Sequence, residues 1–138
     1  MSKQLHITIP GQPVGKGRPR FGNGRTYTPA KTKAYEKLIA EHATKEVERS
    51  RWYITDRPVK MTILALFDIP KSWNKKKTRD AIIGDIRPGK PDIDNVAKAV
   101  LDSLNGIAYV DDSQVYQLSV TKAYGDPALV VTIQEYDY

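Results

Sequence analysis

The chain has 138 residues and no cysteine. Disulfides, thiolate nucleophiles and Cys-based zinc centres are therefore excluded. Long apolar runs are missing as well, and no stretch approaches the ~20 residues of a membrane-spanning helix. The start, Met1-Ser2-Lys3-Gln4-Leu5-His6-Ile7-Thr8-Ile9-Pro10, alternates polar and apolar side chains and does not have the layout of a secretory leader. A soluble, cytoplasmic protein is the expectation. Histidine is scarce: His6 and His42 share no metal-ligand spacing, and His6 on a strand reads as structural. There is no Gly-rich phosphate loop, so no nucleotide cofactor is expected. There is no nucleophilic-serine motif either. Internal repeats, low-complexity runs and linkers are also lacking.

What remains is the composition of one globular unit, with 40% hydrophobic and 28% charged residues. The expectation is a single domain over residues 1–138, large enough for one core. Its net charge of +6 is unevenly spread. Residues 1–91 hold 20 Lys/Arg and 8 Asp/Glu, a net of +12, whereas residues 92–138 hold 2 and 8, a net of −6. A basic body joined to an acidic end suits two tasks, gripping a polyanion and gripping a cation.

Residues 3–9 alternate and predict a strand. Residues 10–28 are rich in Gly, Pro and Arg and predict a loop. Thr28-Pro29 opens a helix to about residue 49, with Thr28 as N-cap, Pro29 at its first position, and Tyr35, Leu38, Ile39, Ala43 and Val47 inward. Residues 58–69 predict a second strand, ended by Pro70. Residues 71–84 read as a short helix or a basic loop. Tyr116, Leu118 and Val120 alternate, as do Leu129, Val131 and Ile133, with turn residues between, which predicts an antiparallel hairpin. The order β-α-β-(α)-α-β-β predicts an α/β (α+β) domain with one mixed sheet and packed helices.

The chemistry concentrates in residues 92–112. Ile93, Val96, Ala97, Val100, Leu101 and Leu104 fall on one face of a helix over 92–105, with Asp92 as cap and Gly106 closing the end. Asp94 and Lys98 share the border of that face one turn apart, an ordinary i, i+4 pair in themselves. Asp102 faces away from the core and can pair with Lys98. Ordinary helix chemistry does not account for Asp111 and Asp112, because adjacent carboxylates repel unless something positive lies nearby. Ile93-to-Asn105 helix and extended tail are matched in reach: the helix advances about 17 Å from Asp94 to Asn105, and residues 106–112 span up to about 23 Å. If residues 107–110 double back along the helix, three or four carboxylates converge. An all-oxygen ligand set favours Mg²⁺, with Mn²⁺ able to substitute.

The basic body supplies candidate phosphate contacts in Lys16, Arg18, Arg20, Arg25, Lys31 and Lys33, and in the cluster Lys75, Lys76, Lys77 and Arg79. Glycines beside Lys16 and Arg18 would let backbone amides approach phosphates. Phe21, Tyr27 and Trp73 lie among these charges and could stack on unpaired bases, with simple packing the expectation for Tyr27.

The run Pro91-Asp92-Ile93-Asp94-Asn95, then Lys98, Leu101-Asp102 and Val110-Asp111-Asp112-Ser113-Gln114-Val115 resembles the RusA family of Holliday junction resolvases. The likeness extends more weakly to Gly15-Lys16-Gly17-Arg18-Pro19-Arg20 and Thr26-Tyr27-Thr28-Pro29. The resemblance implies a homodimer that cuts four-way DNA with Mg²⁺. It implies metal-binding or catalytic roles for Asp92, Asp94 and Asp112, with Asp111 beside them and Lys98 as the catalytic lysine. Asn95 would orient a ligand or phosphate. Two alternatives use the same residues: a less selective metal-dependent nuclease acting on flaps, single strands or RNA, and a branched-DNA-binding module without chemistry.

Overall fold

The computed structural model describes residues 3–27 and 29–136, with Arg20 and Tyr27 described by their backbone alone. Among the described residues, six strands and three α-helices follow one another as β1 (Gln4–Pro10), β2 (Arg20–Gly22), β3 (Arg25–Tyr27), α1 (Ala30–Ser50), β4 (Val59–Phe67), α2 (Lys75–Ile82), α3 (Ile93–Ser103), β5 (Val115–Tyr124) and β6 (Ala128–Glu135). The main sheet has the order β1-β6-β4-β5. β4 runs antiparallel to β6 and parallel to β5, so the sheet is mixed and the fold is α+β.

This order overturns the expected hairpin. β5 and β6 are joined by a short turn, yet β4 lies between them. The reason is burial. Val59, Met61, Ile63, Ala65 and Phe67 are all buried along β4, and a central position protects its backbone and side chains from both sides. In register, Ile7, Val131, Ile63 and Val120 form one apolar row across all four strands. One residue along, His6, Thr132, Thr62 and Ser119 form a polar row on the opposite face. His6 Nδ1 lies 3.2 Å from the Thr132 hydroxyl.

α1 packs against β1, and α3 packs against both β5 and α1, so the two helices cover the apolar face. Tyr35, Ile39 and Ala43 face inward as expected, and Leu38 and Val47 border the core. Pro29 holds the N-cap position of α1, with extended backbone, instead of its first helical position. The expected cap, Thr28, lies outside the described residues. In α3, Val96, Ala97, Val100 and Leu104 are buried as the spacing requires, but Ala99 is buried too and Ile93 is 47% exposed. Packing against α1 as well as the sheet rotates the buried stripe away from Ile93.

One segment gained structure that composition concealed, and in another the structure bears out the helix of two expected alternatives. Within the expected loop 10–28, β2 and β3 form a small hairpin whose turn, Asn23 and Gly24, has both φ angles positive (51° and 77°). That is the Asn-Gly signature of a tight hairpin turn. Residues 75–82 form α2, started by Asn74, whose side chain accepts from the Lys77 N–H at 2.8 Å.

Ile63 sits at the centre of the apolar row and is fully buried. Ile63→Ala is expected to cost about 3 kcal/mol, read as a lowered urea midpoint with an unchanged slope.

Candidate functional site

α3 is the axis of the site, and its direction is fixed at both ends. At its start, Lys122 near the end of β5 donates to the carbonyls of Gly89 (2.7 Å) and Pro91 (3.1 Å). At its finish, the Gly106 N–H donates to the Tyr109 carbonyl, and the buried Tyr109 hydroxyl donates back to the Leu101 carbonyl at 2.9 Å. α3 therefore runs opposite to β5.

Asp92 and Asp94 stand at the N-terminal end of α3. Asp92 occupies the N-cap position, as expected, but makes no bond to the helix amides. It accepts instead from Lys90 Nζ at 2.9 Å. That bond and the Lys90 charge, with Lys122 and Arg18 further off, hold its carboxyl below the usual carboxylate range. Lys98 Nζ lies 4.0 Å from Asp94, and both side chains are largely exposed. Asn95 anchors a loop: its carbonyl accepts from the Lys16 N–H at 2.8 Å.

Beside this end opens a cleft of about 540 Å³, lined by Gly15, Gly17, Arg18, Lys31, Lys90 and Pro91 among others. α2, with Lys75, Lys76, Lys77 and Arg79, approaches the same end through the edge-on contact of Trp73 with Tyr124, centroids 5.4 Å apart. Lys77 Nζ lies 4.2 Å over the Trp73 ring. Trp73 thus already contacts Tyr124 and Lys77, while Phe21 on the β2 hairpin stands exposed. The Arg25 and Lys33 side chains are exposed as well. The side chains of Arg20 and Tyr27 are outside the described set.

Three expectations change. Lys16, expected at phosphate, instead ties the loop to both helices: its Nζ contacts Glu36 at 3.0 Å and Asp102 at 2.6 Å. Partial burial works against its charge, but the bonds to Asp102 and Glu36 prevail and raise its pKa. Asp102 consequently pairs with Lys16 and not with Lys98. The glycines serve protein packing more than phosphate approach. A Cβ on Gly15 would meet Pro91 Cβ at 2.4 Å, and the Gly17 N–H already donates to the Thr32 hydroxyl at 2.9 Å.

The largest change concerns convergence. Asp111 and Asp112 sit at the C-terminal end of α3, where Asp112, Asp102 and Asp111, after burial itself, push the Tyr109 hydroxyl pKa upward. Residues 107–110 do not double back along the helix, because they are bonded elsewhere. The Ala108 carbonyl accepts from Trp52 Nε1 at 2.8 Å and from the Thr55 N–H, and the Val110 N–H donates to the Thr55 carbonyl. About 16 Å of helix thus separates the two acidic segments. Among the described residues, no three carboxylate or imidazole side chains group closely enough to hold a metal ion. Asp111 caps a 3₁₀ turn, Asp112–Gln114, by accepting from the Ser113 N–H at 3.0 Å. Gln114 returns a bond to the Asp111 N–H and donates to the carbonyls of Thr55 and Arg57. The motif therefore has a structural half, Asp111 and Gln114, which leaves Asp112 beside it.

The α+β domain thus exposes carboxylates at the start of α3, beside a cleft lined by cations. A family model described as Endodeoxyribonuclease RusA matches residues 10–134. The chain is also 40% identical to the uncharacterized protein YqaN of Bacillus subtilis (strain 168), over 95% of this chain and 96% of that one. The chain belongs to the RusA endodeoxyribonuclease family, and nuclease chemistry is the class of its activity.

Two outcomes test this geometry. Gly15→Ala is expected to lift the loop from Pro91 and Asn95, seen as faster hydrogen exchange at the Lys16 amide. Lys90→Ala is expected to return the Asp92 carboxyl toward the ordinary range in an NMR titration. Because its folded pKa is depressed, the ion pair stabilises the fold above the unfolded carboxylate pKa, and that contribution fades as pH falls through the folded value.

Proposed function

We propose that this chain is, as one domain, a Mg²⁺-dependent endodeoxyribonuclease that resolves four-way DNA junctions by paired, symmetric nicks, as a homodimer in recombination and repair. The observation that carries this reading is the pairing of Asp92 and Asp94 with a cationic cleft at one end of α3.

The donor set fits the ion. Mg²⁺ keeps several waters and is commonly held by one or two carboxylates together with substrate phosphate oxygens. Asp92 leaves its oxygens off the helix amides, and Asp94 is exposed one turn from Lys98. These two carboxylates would hold the ion; Asp112, with Asp111 beside it, lies about 16 Å of helix away within one chain and could act as a further ligand only from the second protomer of the dimer. A bound divalent ion supplies neutralisation of the phosphate and an acidified water. Mn²⁺ would substitute, since it too takes oxygen ligands.

The chain's own groups do the positioning. Lys98 places positive charge where the five-coordinate phosphorus gathers negative charge. Asn95, tied through its carbonyl to Lys16, keeps the loop against α3, and its side-chain amide would orient a ligand or phosphate. Arg18, Lys31 and Lys90 line the cleft and would hold the scissile strand's neighbouring phosphates; Arg20, Arg25, Lys33 and the cations of α2 would supply further phosphate contacts. Each phosphate neutralised releases counterions, so affinity is carried by charge. The exposed Phe21 is placed to stack on a base at a branch point.

A synthetic four-way junction and its matched duplex, each incubated with Mg²⁺ or with EDTA, test the reading. Paired nicks in the junction alone, with Mg²⁺ alone, are expected. Asp94→Asn and Asp112→Asn are each expected to lower cleavage at least a hundredfold while junction binding persists. Cleavage of flaps or single strands at equal rates would replace this reading by a less selective nuclease. Binding without any Mg²⁺-dependent product would replace it by a binding module.

A further inference from the structure

The cleft beside the start of α3 is apolar within and cationic at its rim. Pro13, Pro19, Pro29 and Pro91 line it together with Val14 and Phe67. Proline has no N–H, so these walls offer a phosphate no amide donor and present rigid hydrocarbon instead. The amides of Lys16 and Gly17 are taken as well, by the Asn95 carbonyl and the Thr32 hydroxyl. Pro13 and Phe67 are buried, whereas Arg18, Lys31 and Lys90 are exposed, which puts the charge outermost. Among the described residues, no Asp or Glu lines the cleft. Its volume, about 540 Å³, lies in the range of pockets that enclose small organic ligands. A ligand matched to this surface is apolar in its middle and anionic on its flanks.

Gln12 adds a side-chain amide to the same lining. Its Oε1 accepts from the Asp68 N–H at 2.9 Å. That bond sets the amide, with the oxygen turned to the backbone and Nε2 left as the donor. The residue before it is anchored too, since the Gly11 N–H donates to the Pro127 carbonyl at 3.0 Å. Gln12 therefore presents an uncharged donor in a fixed orientation, which suits a ring nitrogen or carbonyl.

We infer that the cleft receives one unstacked nucleobase, held against its proline walls and Phe67 and read by a hydrogen bond from Gln12 Nε2, while Arg18, Lys31 and Lys90 hold the phosphates on either side. That the base belongs to the strand being cut rests on the nuclease reading above, whereas the pocket does not. A base within a duplex cannot enter such a cleft, and a base taken out of the stack can. Every base has an apolar face and an acceptor on its edge, so stacking supplies most of the affinity and the Gln12 bond fixes the angle of entry. Lys90 joins the cleft to the carboxylates, because it lines the one and bonds Asp92 at 2.9 Å. The captured base is therefore that of a nucleotide flanking the scissile phosphate. Seating it sets the register of the strand against Asp92 and Asp94, which a track of phosphate contacts alone leaves free to slide.

Pentathymidylate and an all-abasic strand of the same length carry the same phosphates and differ in their bases alone. Each is titrated into the isotope-labelled protein in EDTA and followed by NMR, so the readout needs no cleavage. Pentathymidylate is expected to shift the Val14 and Phe67 amides and to bind about tenfold more tightly than the abasic strand. Equal affinities, or no shift at either amide, would overturn the pocket. Gln12→Glu keeps an oxygen for the Asp68 N–H and removes the Nε2 donor. Its added charge weakens both strands alike, so the ratio of the two affinities reports the base contact, and that ratio is expected to fall about threefold. An unchanged ratio would overturn the role of Gln12. In a four-way junction with Mg²⁺, removing the base of a nucleotide flanking the cut is expected to slow nicking about tenfold, and removing one several nucleotides away is not. Equal rates would overturn the place of the base beside the cut. Should the wild-type chain cut no DNA, the nuclease reading fails, and the titration still decides the pocket.

Discussion

Burial of β4 is the constraint from which the rest of the structure follows. Its alternate residues, from Val59 to Phe67, are shielded completely on one face. Its other face is only partly exposed as well, and in the centre of the sheet it separates two strands that are neighbours in sequence. β5 is left outermost as a consequence, and α3, the connection that precedes it, is left over the same edge. The placement of the acidic motif at the rim of the sheet is thus a by-product of where the core needs β4.

On that scaffold, α3 works as a polar axis with opposite charge gathered at its ends. Cations cluster where the helix begins, even though the helix dipole there favours anions. Asp92 and Asp94 supply the negative charge at that end, and the cationic ring keeps Asp92 ionised. The loop carrying Arg18 is held against this end by a backbone bond to Asn95, by the Lys16 bridge to Glu36 and Asp102, and by the close passage of Gly15 past Pro91. Lys16 therefore contributes by positioning its neighbours. Its charge is matched within the protein, and the cleft draws its own field from Arg18, Lys31 and Lys90.

Local signals in the chain were strong wherever a single element decided the outcome. The alternation of β1, the span of α1 and the helical spacing around Val96 and Val100 all survive in the fold. Misreadings arose where two elements compete. Ile93 has the right spacing for the core but is 47% exposed, whereas Ala99, off the expected stripe, is buried. Asp102 has the right spacing for Lys98 but finds Lys16, which comes from a loop 86 residues away. The tight turn at Asn23 and Gly24 was legible from its residue types, and the abundance of Gly and Pro around it masked the signal.

Residue chemistry alone determined the cysteine-free, cation-rich body, the clustering of aspartates late in the chain, and the helix that carries the first pair of them, because these depend on composition and on spacing within one element. Only the tertiary structure decided which strands are neighbours and at which end of α3 Asp111 and Asp112 lie. Residues 107–110 can reach back along the helix as a free chain, but hydrogen bonds to Trp52 and Thr55, more than fifty residues earlier, turn them away. Bonds between segments so distant leave no period or spacing in the sequence, and they separate Asp112 from Asp94 within a single chain.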